Sequence, residues 1–143
     1  MAQCIAFSPE SQFIASGGNL NQIKIGHRNG SLLTTLAEND AIFTDVAFSP
    51  DGQLLASCSC DSTIKLWKYN SKDGVERQST QTFVADNGVV SHMAWSSDGM
   101  FFASSGIDTT VKLWSREGQS ITTLLDRVWF CLASGDRTNM AVF

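Results

Sequence analysis

The chain has 143 residues, 43% of them apolar and 17% charged, with a formal charge of -4, a composition that fits one globular domain and excludes a disordered chain. The acidic balance speaks against a nucleic-acid partner, which calls for a basic patch. No apolar run nears the roughly 20 residues that span a bilayer, and the start Met1-Ala2-Gln3-Cys4 lacks the basic and apolar regions of a signal peptide; the expected setting is cytoplasmic, with no membrane contact.

Taken in chain order, the sequence repeats a unit of four short strands. The first unit, about 2–37, reads as strands over Ala2–Phe7, Gln12–Ser16, Gln22–Gly26 and Ser31–Leu36. The second, about 41–85, gives Ile42–Phe48, Gln53–Ser59, Thr63–Trp67 and Thr80–Val84, and the third, about 89–125, gives Val89–Trp95, Met100–Ser105, Thr109–Trp114 and Ser120–Leu124. These runs are β-branched and aromatic and are bounded by turn residues. Ser8, Ser49 and Ser96 head equivalent corners, 41 and then 47 residues apart. In the second corner, Ser49-Pro50-Asp51-Gly52, Pro presets φ and Gly takes the tight position. The longer second period comes from an insertion, Asn70–Gln81, read as a surface loop carrying Lys72, Asp73, Gly74 and Arg77. Four antiparallel strands per roughly 40–45 residues predict a blade of a β-propeller, so the expected fold is all-β: three four-stranded blades and an incomplete fourth. The remnant at 126–143 offers a first strand at Asp126–Trp129 and a hairpin of Phe130–Ser134 with Asn139–Phe143.

The stretch Val46–Trp67, V-A-F-S-P-D-G-Q-L-L-A-S-C-S-C-D-S-T-I-K-L-W, resembles a WD-repeat. The third-strand endings I-K-I-G-H-R-N-G-S-L-L-T-T-L and V-K-L-W-S-R-E-G-Q-S-I-T-T-L are similar to WD-repeats of cyanobacterial multidomain proteins. The resemblance covers residues 2–124. It implies a structural tetrad of Trp, Ser/Thr, Asp and His in each blade, onto which Trp67 and Trp114, Ser57 and Ser104, and Asp61 and Asp108 map. The match departs at the His positions, held by Asn39 and Asp86, and in the first unit, where Gly26 stands for Trp and Leu20 for the turn Asp. The blade networks are therefore expected to be incomplete and the first blade the least rigid.

No catalytic pattern emerges. His27 falls in a hairpin and His92 in a strand, with no Ser or Cys nucleophile motif around either. Cys4, Cys58, Cys60 and Cys131 read as structural thiols, and no zinc-ligand spacing is present. The expectation is a non-enzymatic protein without cofactor or metal. In a propeller, the loops between units share a face with the turns between second and third strands. Here that face carries Glu38, Asp40, Asp61, Asp86, Asn87, Asp108 and Asp126, with Arg127 the one nearby base; the opposite face carries Arg28, Lys68, Lys72, Arg77 and Arg116. Glu38, Asp40, Asp86, Asn87 and Asp126 are the candidate partner-binding residues, and a basic peptide or protein is the matching partner. Three units do not close a ring. A homodimer, a place within a longer propeller, or a decayed remnant each accounts for that. The expected function is a non-catalytic protein–protein interaction scaffold or sensor, as a self-assembling half-propeller or a segment of a longer one. The alternative is an oligomeric small-ligand or glycan-binding propeller with sites at blade junctions, and the break at Leu20 weighs against it.

Overall fold

The computed structural model describes residues 1–37, 41–70 and 72–125. Among them the chain is all-β, with twelve strands: β1 Ala2–Phe7, β2 Phe13–Gly18, β3 Ile23–His27, β4 Leu32–Leu36, β5 Phe43–Phe48, β6 Leu54–Ser59, β7 Thr63–Asn70, β8 Gly74–Val84, β9 Val90–Trp95, β10 Phe101–Gly106, β11 Thr110–Ser115 and β12 Ser120–Leu125. They form three antiparallel four-stranded meanders, β1–β4, β5–β8 and β9–β12, each strand paired with its neighbours in sequence. Strand bounds fall within a residue or two of the expected ones, except in the second blade. The remnant unit at 126–143, with its expected hairpin, lies outside the described residues, as do Glu38, Asn39 and Asp40.

The inserted segment corrects the loop reading. β7 and β8 continue through it as one hairpin, with Tyr69 paired to Val75 and Asn70 to Gly74 across two register shifts. The Asn70 side chain builds the tip: its Oδ1 accepts from the N–H groups of Lys72 (2.8 Å) and Asp73 (2.7 Å), while Nδ2 donates to Asp73. Gly74 takes φ 81°, open to glycine at no steric cost. The stem is anchored because Tyr69 and Val75 are buried, and the Tyr69 ring packs edge-on against Phe13 and Phe48.

The three sheets stack side by side with β1, β5 and β9 innermost. Two apolar cores lie between them. The first joins Phe13, Ala15, Ile23 and Ile25 to Val46, Phe48, Leu55 and Trp67; the second joins Ala56, Ile64 and Leu66 to Met93, Phe102 and Trp114. Each core side chain fully removed from water contributes about 1.5–3 kcal/mol, so the stack is held by faces that no single blade buries alone.

One corner is built three times. Ser8, Ser49 and Ser96 Oγ each accept from the backbone N–H five residues on, at 3.0 Å. The left-handed residue of the corner is Gly52 in the second blade, Gly99 in the third, but Ser11 (φ 58°) in the first.

Candidate functional site

Trp67 Nε1 donates to Ser57 Oγ at 3.0 Å, and Trp114 Nε1 donates to Ser104 Oγ at 2.9 Å. Both indoles are buried and bridge the third strand of a blade to its second. Both turn aspartates do the same local job. Asp61 Oδ1 accepts from Thr63 N and Oγ1, and Asp108 Oδ1 accepts from Thr110 N and Oγ1, at 3.0 and 2.6 Å in each case. Asp108 also receives Lys112 Nζ on Oδ2 at 2.7 Å. The first blade, with Gly26 and Leu20 at these positions, makes neither contact among its described residues.

Asp86 does not project into solvent: it is only 6% exposed. Its Oδ2 lies where a Cβ on Gly106 would stand, 1.3 Å away, so only glycine fits at 106. Its Oδ1 has no hydrogen-bond partner among the described residues. Burial first, then the neighbouring Asp108 carboxyl, pushes the Asp86 carboxyl up to about 6, against the pull of Lys112. Burial acts on Asp108 too, but Lys112, Thr110 and the protonated Asp86 prevail and hold it well below the usual carboxylate range. Below about pH 6 Asp86 keeps a proton for the hydrogen bond to Asp108, which stays ionised. Of the other candidate face residues, Asn87 and Asp61 are exposed, while Glu38, Asp40 and Asp126 lie outside the described residues. Leu20 and Ile107 stand on the same turns, 67% and 63% exposed.

Reasoning from sequence missed the links between blades. Asp45 Oδ2 accepts from Met93 N at 2.9 Å, joining β5 to β9. Burial raises its pKa, opposed by the Met93 and Val46 N–H groups and by His92. His92 itself is 54% exposed, with Nδ1 3.9 Å from Asp45. Trp95 Nε1 donates to Ala47 O at 3.2 Å across the same junction. On the far side of the stack, Tyr69 OH donates to Glu10, and Arg116 meets Asp51 at 2.6 Å. The repeat offered one cue: Tyr69 and Arg116 each stand two residues past a tetrad Trp, and Glu10 and Asp51 each two past a corner Ser.

Cys4, Cys58 and Cys60 are free thiols, and burial pushes Cys4 up to about 11, so it is a poor nucleophile. Among the described residues no group of three or more His, Cys, Asp and Glu is placed to hold a metal, and no helix is long and apolar enough to cross a membrane. A groove of about 760 Å³ runs between the β7–β8 hairpin and the third blade, lined by Gln53, Tyr69, Val75, Glu76, Arg116 and Glu117 among others.

The family model described as WD domain, G-beta repeat, matches residues 3–25, 30–68 and 77–115. The chain belongs to the WD40 repeat family. The first matched segment covers β1 to β3, and the second and third each run from the last strand of one blade (β4, then β8) through the first three strands of the next. The WD40 chain is 29% identical over 80 residues to Periodic tryptophan protein 2 of Arabidopsis thaliana, covering 55% of this chain and 9% of that protein. It is 41% identical over 64 residues to Nuclear distribution protein PAC1 of Tuber melanosporum, covering 45% and 14%. With Nuclear distribution protein nudF 1 of Talaromyces marneffei the figure is 43% over 67 residues, covering 45% and 15%. The matched part spans only 9–15% of these curated relatives.

Proposed function

We propose that this WD40 chain is a non-catalytic module for binding a protein or peptide, working in the cytoplasm without metal or cofactor. The binding face is the one formed by the turns between second and third strands and by the loops between blades. The observation that carries this reading is the pairing of rigid support with exposed contact groups. Asp61 is locked by its own turn, Asn87 is exposed on the loop between the second and third blades, and Leu20 and Ile107 present apolar side chains on equivalent turns. The acidic side chains favour a basic partner, mainly through steering and specificity. Asp86 acts beneath this face as support, holding Asp108 and the third-blade turn.

The test is fluorescence anisotropy with a labelled Lys-rich peptide, using an Asp-rich peptide as control. Binding of the basic peptide alone, weakened at least tenfold by the double charge reversal Asp40→Lys with Asp61→Lys, supports the reading. Equal binding of both peptides, or no effect of the reversal, contradicts it.

Among the described residues the two ends of the stack are open, and the second part of the proposal is that another copy of the chain covers them. Two sets of three blades make a ring of six, within the range of known propellers. The ligand-binding alternative with one site per junction finds less support, since the groove at the second junction is shaped by the β7–β8 insertion, which the other blades lack.

A further inference from the structure

The two inner junctions share one contact, and among the described residues the two ends of the stack hold its unmatched halves. In every blade the residue two past the tetrad position starts from the same backbone hydrogen bond: Arg28 N to Gln12 O, Tyr69 N to Gln53 O, and Arg116 N to Met100 O. From there Tyr69 reaches Glu10 of the preceding blade, and Arg116 reaches Asp51. Asp51 is organised for this. Its Oδ1 is taken by Ser49 Oγ and Gln53 N, which leaves Oδ2 for Arg116.

Asp98 repeats that arrangement at the outer face of the third blade. Its Oδ1 accepts from Ser96 Oγ at 2.6 Å and Met100 N at 2.9 Å. Its Oδ2 has no partner among the described residues. Arg28, at the outer face of the first blade, is exposed and likewise has no side-chain partner among them.

The apolar surfaces match in the same sense. Ile5 and Phe7 are 67% and 59% exposed where Val46 and Phe48 of the second blade are 3% and 8%. At the other end Leu124, 40% exposed, stands with Val111 at the register position that Phe83 and Ile64 hold in the second blade, where they pack against the third.

We propose that the open ends dock against a second copy of this chain, with Arg28 of each copy closing on Asp98 of the other. This rests on the self-assembly reading above and assigns its contact. The arrangement is two-fold and closed: both junctions are made of the same two surfaces, so neither end stays uncovered. The tetrad Trp is replaced by Gly26 at this junction, so less apolar surface meets there than inside the stack. The ion pair then weighs more in choosing the register.

The experiment is light scattering of the full chain across a concentration series, for wild type, Arg28→Asp, Asp98→Arg and the double variant, with circular dichroism of each. Support is a wild-type mass of twice 15.5 kDa, a shift of at least tenfold in the dimer dissociation constant for each folded single variant, and recovery of the dimer in the double variant. A wild-type mass of one chain at all concentrations overturns both this contact and self-assembly, and leaves the ends to further blades of a longer chain. A dimer unaffected by either reversal overturns the Arg28–Asp98 contact alone.

Discussion

Arg116 of the third blade closes on Asp51 of the second at 2.6 Å, while the same guanidinium bonds Gln53 Oε1 and Gly99 O, both at 2.9 Å. One side chain thereby ties the corner of one blade to the corner of the next. The pair is partly exposed, so its direct worth is modest, about 0.5–1 kcal/mol. A double-mutant cycle with Arg116→Met and Asp51→Asn, read by urea unfolding, is expected to give a coupling of about that size, reduced in 1 M salt. The single change Arg116→Met is expected to cost more, about 1–2 kcal/mol, because Gly99 O and Gln53 lose a donor as well.

Asp86 makes stability depend on pH in an unusual direction. Burial pushes its carboxyl up to about 6 from an ordinary 3.8. A carboxyl whose pKa rises on folding favours the folded state most below about pH 4, and that contribution is lost as pH climbs through about 6. Asp108 works the other way: its depressed pKa stabilises above about pH 4 and fails on acidification. In Asp86→Asn the amide keeps a donor for Asp108 and carries no charge. Thermal unfolding from pH 4 to pH 8 is expected to show this variant more stable than wild type by on the order of 1–3 kcal/mol at pH 8, with the gain shrinking toward pH 4.

The indole bonds are expected to matter more than any surface pair. Ser57→Ala leaves the fully buried Trp67 N–H without its acceptor, at about 1–3 kcal/mol. Trp67→Ala opens a cavity at the first junction and is expected to cost about 3–5 kcal/mol. At the equivalent place in the first blade, Ser16 has no indole to accept from because Gly26 stands where Trp67 does, so for Ser16→Ala urea unfolding should show a change under about 0.5 kcal/mol.

Ser11 holds φ 58° where the other corners use Gly52 and Gly99, both at φ 69°. The left-handed region costs a residue with a Cβ roughly 1 kcal/mol. Ser11→Gly is therefore expected to stabilise the chain by about 0.5–1 kcal/mol in thermal unfolding, unlike a glycine placed in a strand.

The blades were legible in the sequence because each corner carries its own chemistry: a serine that caps the next strand, then a residue suited to the left-handed turn. The indole–hydroxyl pairs followed from the family resemblance. The β7–β8 extension was not seen because polar residues such as Lys72 and Asp73 outweighed the quieter signal of Tyr69 and Val75 flanking an Asn70…Asp73-Gly74 turn. Asp86 looked like a surface acid because its loop is polar, and only the stacking of Gly106 beneath it takes it out of water. The contacts of Arg116 and Asp45 join residues more than 40 positions apart, and such pairs become visible only once one blade is laid on the next.

The proposed binding surface is the face of Asp61, Asn87, Leu20 and Ile107. Amide chemical-shift mapping with the Lys-rich peptide tests it most directly. The expected result is perturbation at Asn19–Asn21, Asp61–Thr63, Asn87–Val89 and Ile107–Thr109, with the opposite hairpins unmoved. Perturbation centred instead on Arg28, Lys68 and Glu117, with these turns unmoved, would contradict the account.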